Sequence, residues 1–304
     1  MSVQKRVLSM YKIISLKRIM LCIAGMAAAV ICCNLIFSAM SRNAVQTANN
    51  ARNDGIELPI LMYHGILKDT KLQGDYVISP YQFEQDLKML REKGCHTVTV
   101  SNLTDYVYSD KPLPENPVML TFDDGYYNNY LYAYPLLKKY ECSAVISPIA
   151  YYSELYSNSD EKQGASYAHC TWQQLAEMQE SGLVEVQNHS YNMHSLSGRK
   201  GIQQKQGEGS DEYKLAVKDD ILKSQDMLHE KLGTYPQAFV YPFGAYNSVA
   251  EELMKELSFR CTMICEEKVN IITKNPDSLR KLGRFLRSSR LSAEEIYTKI
   301  NSLR

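Results

Sequence analysis

The feature that most constrains this chain is an alternation that runs from Leu58 to the C-terminus. Short apolar runs take turns with helix-period segments, and polar residues with chemical potential follow several of the runs directly. Strands that are apolar throughout are buried on both faces, and in alternation with helices they build a parallel sheet or barrel. LPILMY (58–63), HTVTV (96–100), VMLTF (118–122), CSAVISPI (142–149), 183–186, AFVY (238–241), 261–265 and about 282–286 read as strands. Ser79 caps a helix that has Pro80 in its first turn and Gly94 as its stop. Thr171 caps another that ends at Gly182, Gly233 ends a long helix over 212–232, residues 249–257 form a further helix, and Ser292 caps the last. Residues 197–211 are rich in Gly, Gln and Ser and read as a surface loop.

Of 304 residues, 34 are basic and 34 acidic, and the formal charge of zero gives no bulk reason to bind nucleic acid. The zero is a sum of unlike parts, because residues 1–56 carry about +6 and the rest about −6. Within that leader, Ile19 to Met40 is a run of 22 residues whose most polar member is Asn34, long enough to cross a bilayer core of roughly 30 Å. Most of the cations precede it, so the positive-inside rule predicts a cytoplasmic tail at 1–18, a transmembrane signal-anchor helix at 19–40 and an extracellular remainder. Cleavage after a small-residue site near Ala39-Met40-Ser41, giving a secreted protein, is the alternative; the apolar run exceeds the usual signal-peptide length, which favours retention. Residues 41–56 read as a flexible linker and 57–304 as one domain of roughly 248 residues, within the range of an α/β barrel.

Cys95, Cys142, Cys170, Cys261 and Cys265 are odd in number and show no paired Cys-x-x-Cys spacing, so they read as free thiols. No protein partner is implied.

Four segments carry the chemistry. Thr121-Phe122-Asp123-Asp124-Gly125 puts two acids at the end of a buried strand, which is costly unless a metal, hydrogen bonds or water compensate them; taken alone it could also be a turn. His189 and His194 follow a strand at a spacing of five, which aims both rings at one ion only if the segment turns. Two imidazoles and a carboxylate suit zinc with an open position, while two unrelated surface histidines are the plainer reading. Tyr241-Pro242-Phe243-Gly244 and Met62-Tyr63-His64-Gly65 complete the set. All four lie at the C-terminal ends of strands, the rim on which α/β barrels place their active sites.

Together these segments resemble the motifs of the polysaccharide deacetylases, the NodB-homology proteins of carbohydrate esterase family 4. The resemblance spans roughly 58–290. It implies a distorted (β/α) barrel and metal-dependent, usually zinc-dependent, hydrolysis of acetyl groups on an extracellular amino-sugar polysaccharide such as peptidoglycan, poly-N-acetylglucosamine or chitin-like oligomers. By the same resemblance Asp123 matches the general base, Asp124, His189 and His194 the metal ligands, and the Tyr241–Phe243 segment the groove motif whose backbone N–H holds the oxyanion.

The sequence departs from the family pattern in three places. The histidine spacing is five rather than the common four, Val240 stands where an Arg is usual, and the C-terminal Leu-x-x-His segment is missing. His64 is similar to the acid histidine of the circularly permuted members that deacetylate poly-N-acetylglucosamine, and Arg284 is the candidate partner of Asp123. An O-acetyl esterase on the same site, or a non-catalytic glycan-binding scaffold, are the rival functions; a scaffold would be expected to have lost a base or a ligand. Tyr126, Tyr127, Tyr130 and Trp172 are candidate sugar-stacking faces, and His96, His169 and His229 read as solvated or packed.

Overall fold

The computed structural model describes residues 55–304, apart from 161 and 162. The apolar run at 19–40 and most of the linker lie outside the described residues. Among those described, no helix is long and apolar enough to cross a membrane.

In chain order the strands are β1 (Ile56–Leu58), β2 (Ile60–Tyr63), β3 (Gly65–Ile66), β4 (Val77–Ile78), β5 (His96–Thr97), β6 (Pro117–Asp124), β7 (Ala144–Pro148), β8 (Val184–Val186), β9 (Ala238–Val240), β10 (Cys261–Met263), β11 (Asn270–Ile272) and β12 (Phe285–Leu286). The α-helices are α1 (Pro80–Glu92), α2 (Val100–Ser109), α3 (Tyr134–Tyr140), α4 (Ala150–Ser157), α5 (Trp172–Glu180), α6 (Ser210–Leu232), α7 (Ser248–Glu256) and α8 (Ala293–Asn301).

A parallel sheet in the order β12-β2-β6-β7-β8 forms one wall, and the parallel pair β9-β10 forms the other. Single bridges close the circle on both sides, Asn188 to Phe239 and Met263 to Leu282. The result is a barrel of seven staves with two thin seams, which is the distortion the resemblance implied. Across one end, β1 and β11 pair antiparallel.

Alternation along the strands sorts their side chains. Ile60, Met119, Val145, Val240 and Met263 pack together inside the barrel. Leu61, Tyr63, Leu120, Phe122 and Ile146 face outward and join α1, α3, α5 and α8 in the largest core cluster. Phe239 and Tyr241 also face outward, into a third cluster with α6 and α7.

The predicted caps hold. Ser79, Thr171 and Ser292 each close a reciprocal capping box, with Gln82, Gln174 and Glu295. Several elements differ from the sequence reading. LPILMY is split at Pro59, so its first residues pair with β11 and only β2 enters the barrel. HTVTV keeps two strand residues, because Thr99 and Asn102 cap α2, which takes Val100. Helices α2 and α4 and strand β11 carry too short an apolar pattern to be read in advance.

Candidate active site

The site begins at β6. Because residues 119, 121 and 123 share one face, Asp123 points into the barrel mouth, where it meets Arg284, the residue before β12. Arg284 donates from both guanidinium ends, at 2.7 Å to Asp123 Oδ1 and 2.9 Å to Oδ2. Its Nε–H is held by the Ile264 carbonyl at 3.0 Å. Both side chains are almost wholly buried. Burial alone would raise the Asp123 pKa, but the Arg284 charge and its hydrogen bonds outweigh that and keep the carboxyl below its usual range. The Arg absent at position 240 is thus replaced in space by one from a distant segment.

Asp124 takes φ +68° and Gly125 φ +71°. A side chain at Gly125 would place its Cβ 2.7 Å from the Pro148 Cβ, so the turn admits only glycine. The turn swings the Asp124 carboxylate toward the two histidines. Its Oδ1 lies 3.4 Å from His189 Nε2 and 3.2 Å from His194 Nε2.

The turn required by the five-residue spacing is built by helix α6. Asp220 accepts from the backbone N–H of Tyr191 at 2.8 Å and of Asn192 at 2.9 Å. Ser224 Oγ and the Ser190 N–H both donate to Asn188 Oδ1, and Ser190 adopts φ +80°. The segment therefore folds back on itself and brings His189 and His194 to one point.

His189 Nδ1 lies 2.8 Å from the Val240 carbonyl, so it carries the proton and leaves the Nε2 lone pair facing Asp124. Burial depresses the His194 pKa to about 4, with the His189 charge adding to the effect. At His189 burial pulls the pKa down, but Asp124 and Asp123 outweigh it and the value is raised.

Asp124 Oδ1 is buried with no hydrogen-bond donor. A buried carboxylate oxygen left without a donor and facing two imidazole Nε2 atoms is the arrangement a divalent cation satisfies. The ligand atoms of Asp124, His189 and His194 all lie within 4.8 Å of one another. The donor set fits the metal that the sequence implied.

His64 stands across the cleft, with Nε2 3.9 Å from Asp123 Oδ2 and its ring edge-on to Tyr76 at 5.0 Å. Burial lowers its pKa, and Asp123 only partly restores it. Phe243, at φ +57°, lays its ring 4.3 Å from that of His194.

A model of the polysaccharide deacetylase family matches residues 110–262, half of the chain, from before β6 into β10. The chain belongs to the polysaccharide deacetylase family. Among its relatives, the poly-β-1,6-N-acetyl-D-glucosamine N-deacetylase of Escherichia coli K12 is 26% identical over 263 residues, covering 79% of this chain and 38% of that protein. The chain thus spans well under half the length of that relative. The solved structure of a de-N-acetylase from Aggregatibacter actinomycetemcomitans superposes with a TM-score of 0.68 at 25% identity, covering 80% of this chain and 99% of that one. IcaB from Ammonifex degensii gives 0.65 at 28%, covering 81% and 96%.

Two residues of the assigned set have side chains closed off from solvent in this member of the polysaccharide deacetylase family. The Tyr241 side chain, just after β9, is buried and turned outward beside Phe239, where its hydroxyl donates to Glu251 at 2.7 Å. Arg284, the candidate partner of Asp123, is sealed behind that residue and pairs with it, away from any substrate or oxyanion position.

Trp172 is likewise no sugar platform, being 7% exposed with its indole N–H on Glu154. Tyr130 donates to Glu177 and stacks between Tyr127 and Tyr134, while Tyr126 lies against His169. His169 is packed between Tyr126 and Tyr152, with Nδ1 2.9 Å from the Asp124 carbonyl. The five cysteines of the described residues are free.

Sequence reasoning missed Asp220 and Ser224, which shape the histidine turn from positions on α6 that no sequence pattern sets apart. It also missed His169, whose hold on the Asp124 backbone belongs to no motif.

Proposed function

We propose that the protein hydrolyses N-acetyl groups from an extracellular amino-sugar polysaccharide, poly-N-acetylglucosamine being the class its relatives' names suggest. The observation that carries the reading is the donor-less Asp124 Oδ1 between His189 and His194, set beside an Arg-braced Asp123 and facing His64.

Asp124, His189 and His194 are the residues that would hold the ion, and zinc suits two imidazoles with one carboxylate. When bound, the ion supplies Lewis-acid polarisation of the acetyl carbonyl and a water of lowered pKa. The protein's own groups do the rest. Asp123, ionised because Arg284 faces it, accepts the proton of the attacking water as the new C–O bond forms. The Phe243 backbone N–H is the assigned donor to the developing oxyanion. His64 then gives a proton to the leaving amine as the C–N bond breaks, so acetate and a free amine are the products. Burial lowers its pKa, which makes the protonated ring a stronger acid while reducing how much of it is present at neutral pH.

The leader belongs to the same proposal. The 22-residue apolar run at 19–40, with cations before it, supports a single-pass anchor that leaves this domain facing the cell exterior.

Acetate release is the test. The soluble domain, residues 57–304, loaded with zinc, is expected to release acetate from poly-N-acetylglucosamine oligomers and to lose that activity with chelator. Release from acetyl-xylan in preference would instead indicate an O-acetyl esterase, and no release from any glycan a binding scaffold.

A further inference from the structure

We propose that the buried pair Asp86–Arg287, together with Tyr63, is a positioning unit that fixes where His64 stands relative to Asp123. The inference rests on the reading of His64 as the acid of the reaction above.

The His64 ring has no hydrogen bond of its own among the described residues. Its Nδ1 is buried without a partner and its Nε2 stops 3.9 Å from Asp123. Beyond its edge-on contact with Tyr76, the place of the imidazole is set by the backbone on either side of it. After it, the Gly65 N–H donates to the Tyr76 carbonyl at 2.9 Å and the Ile66 N–H to Asn128 Oδ1 at 2.8 Å. Before it stands Tyr63, which stacks on Phe122 and donates its hydroxyl to Asp86 Oδ2 at 3.1 Å.

Asp86 sits on the inner face of α1 with no exposure, and Arg287 reaches it with Nε at 2.8 Å and Nη2 at 2.9 Å. Arg287 also binds the strand that carries His64, because its backbone N–H donates to the Met62 carbonyl at 2.9 Å. Its remaining Nη1 donates to the carbonyls of Ser288 and Leu291. A charged pair this deep costs desolvation that an apolar pair of the same volume would avoid, so stability alone is a poor reason for it.

The geometry gives a better reason. Arg284 and Arg287 flank the two residues of β12 and point to opposite faces, one inward to Asp123 and one outward to Asp86. One short segment thereby holds the base directly and holds the strand of the acid through Tyr63 and Met62. Separation of base and acid is then set by a single rigid piece of chain.

The test compares two acetyl substrates of the zinc-loaded domain. An N-acetylglucosamine oligomer needs a proton on its leaving amine, whereas 4-nitrophenyl acetate expels a leaving group that needs none. The ratio of amide to ester turnover reads the placement of the acid, and a general loss of fold does not move it. Tyr63→Phe keeps the ring packing and removes only the hydroxyl. The double variant Asp86→Leu/Arg287→Met removes both charges together, so that neither is left buried alone.

Both variants are expected to lower the ratio by about tenfold, in the direction of a larger drop in His64→Ala. If His64→Ala lowers the ratio while the other two keep the wild-type value, the positioning claim is overturned and the acid assignment stands. If His64→Ala itself keeps the ratio, the acid assignment fails and this inference fails with it.

Discussion

Arg284 and Asp123, 161 residues apart in sequence, meet through two parallel hydrogen bonds inside the barrel mouth. The pair makes β12 part of the active site. It also places the carboxylate proposed as the base next to a permanent cation, which keeps it ionised and fixes both of its oxygens.

Removing one partner leaves the other charged and buried. Arg284→Met is expected to destabilise the domain by about 3–5 kcal/mol and to lower kcat/KM by about a hundredfold or more. Arg284→Lys should recover little of either, because an ammonium cannot engage both oxygens as the planar guanidinium does. Denaturant melts and acetate-release kinetics on the two variants check this.

Metal binding should displace a proton. In the metal-free protein the His189 pKa is raised above its ordinary value by the neighbouring carboxylates, against the opposing pull of burial. The metal needs the neutral ring, so proton and cation compete. As pH falls through the raised pKa, zinc affinity should fall; well above it, the competition disappears. Calorimetric titration with zinc in buffers of different ionisation enthalpy is expected to show about one proton released per ion at acid pH, declining as pH rises. His194, held down near 4, should contribute nothing to this release above that pH.

Asp220 is not among the three proposed metal ligands, yet it holds the turn between the two histidines through the N–H groups of Tyr191 and Asn192. Asp220→Ala frees that turn and should weaken zinc binding by about tenfold or more. Asp220→Asn keeps an acceptor oxygen and should recover part of the loss. Competition against a chelator of known affinity measures both.

How far the sequence revealed this site depended on whether a residue acts within its own strand end or across the fold. The acids of TFDDG, His189 and His64 follow apolar runs closely, and the rim of a barrel gathers strand ends; His194, five residues past His189, was singled out by the resemblance of its segment to a family motif. Tyr241 shows the limit of such local reading: motif position says nothing about which side of β9 its ring faces, and alternation turned this one into the core. Arg284 could be named as a partner, but the bidentate geometry follows from β12 pairing beside β2, a contact between chain ends. Asp86, Asp220 and Arg287 were invisible, because burial of a single charge on a helix or strand is decided by what packs over it. Among the elements, α2 and α4 were lost to short patterns, and β11 shows itself only through its antiparallel partner β1.

Separating the residue that takes the proton from those that hold the ion tests the account most directly. In Asp123→Asn the three metal ligands are intact, and the variant should bind one zinc per chain while acetate release from N-acetylglucosamine oligomers falls by about a thousandfold or more. Zinc content and acetate release measured on the same preparation give the answer. A variant that binds zinc and releases acetate within tenfold of the wild type would contradict the assignment of Asp123 as the base, and with it the mechanism proposed here.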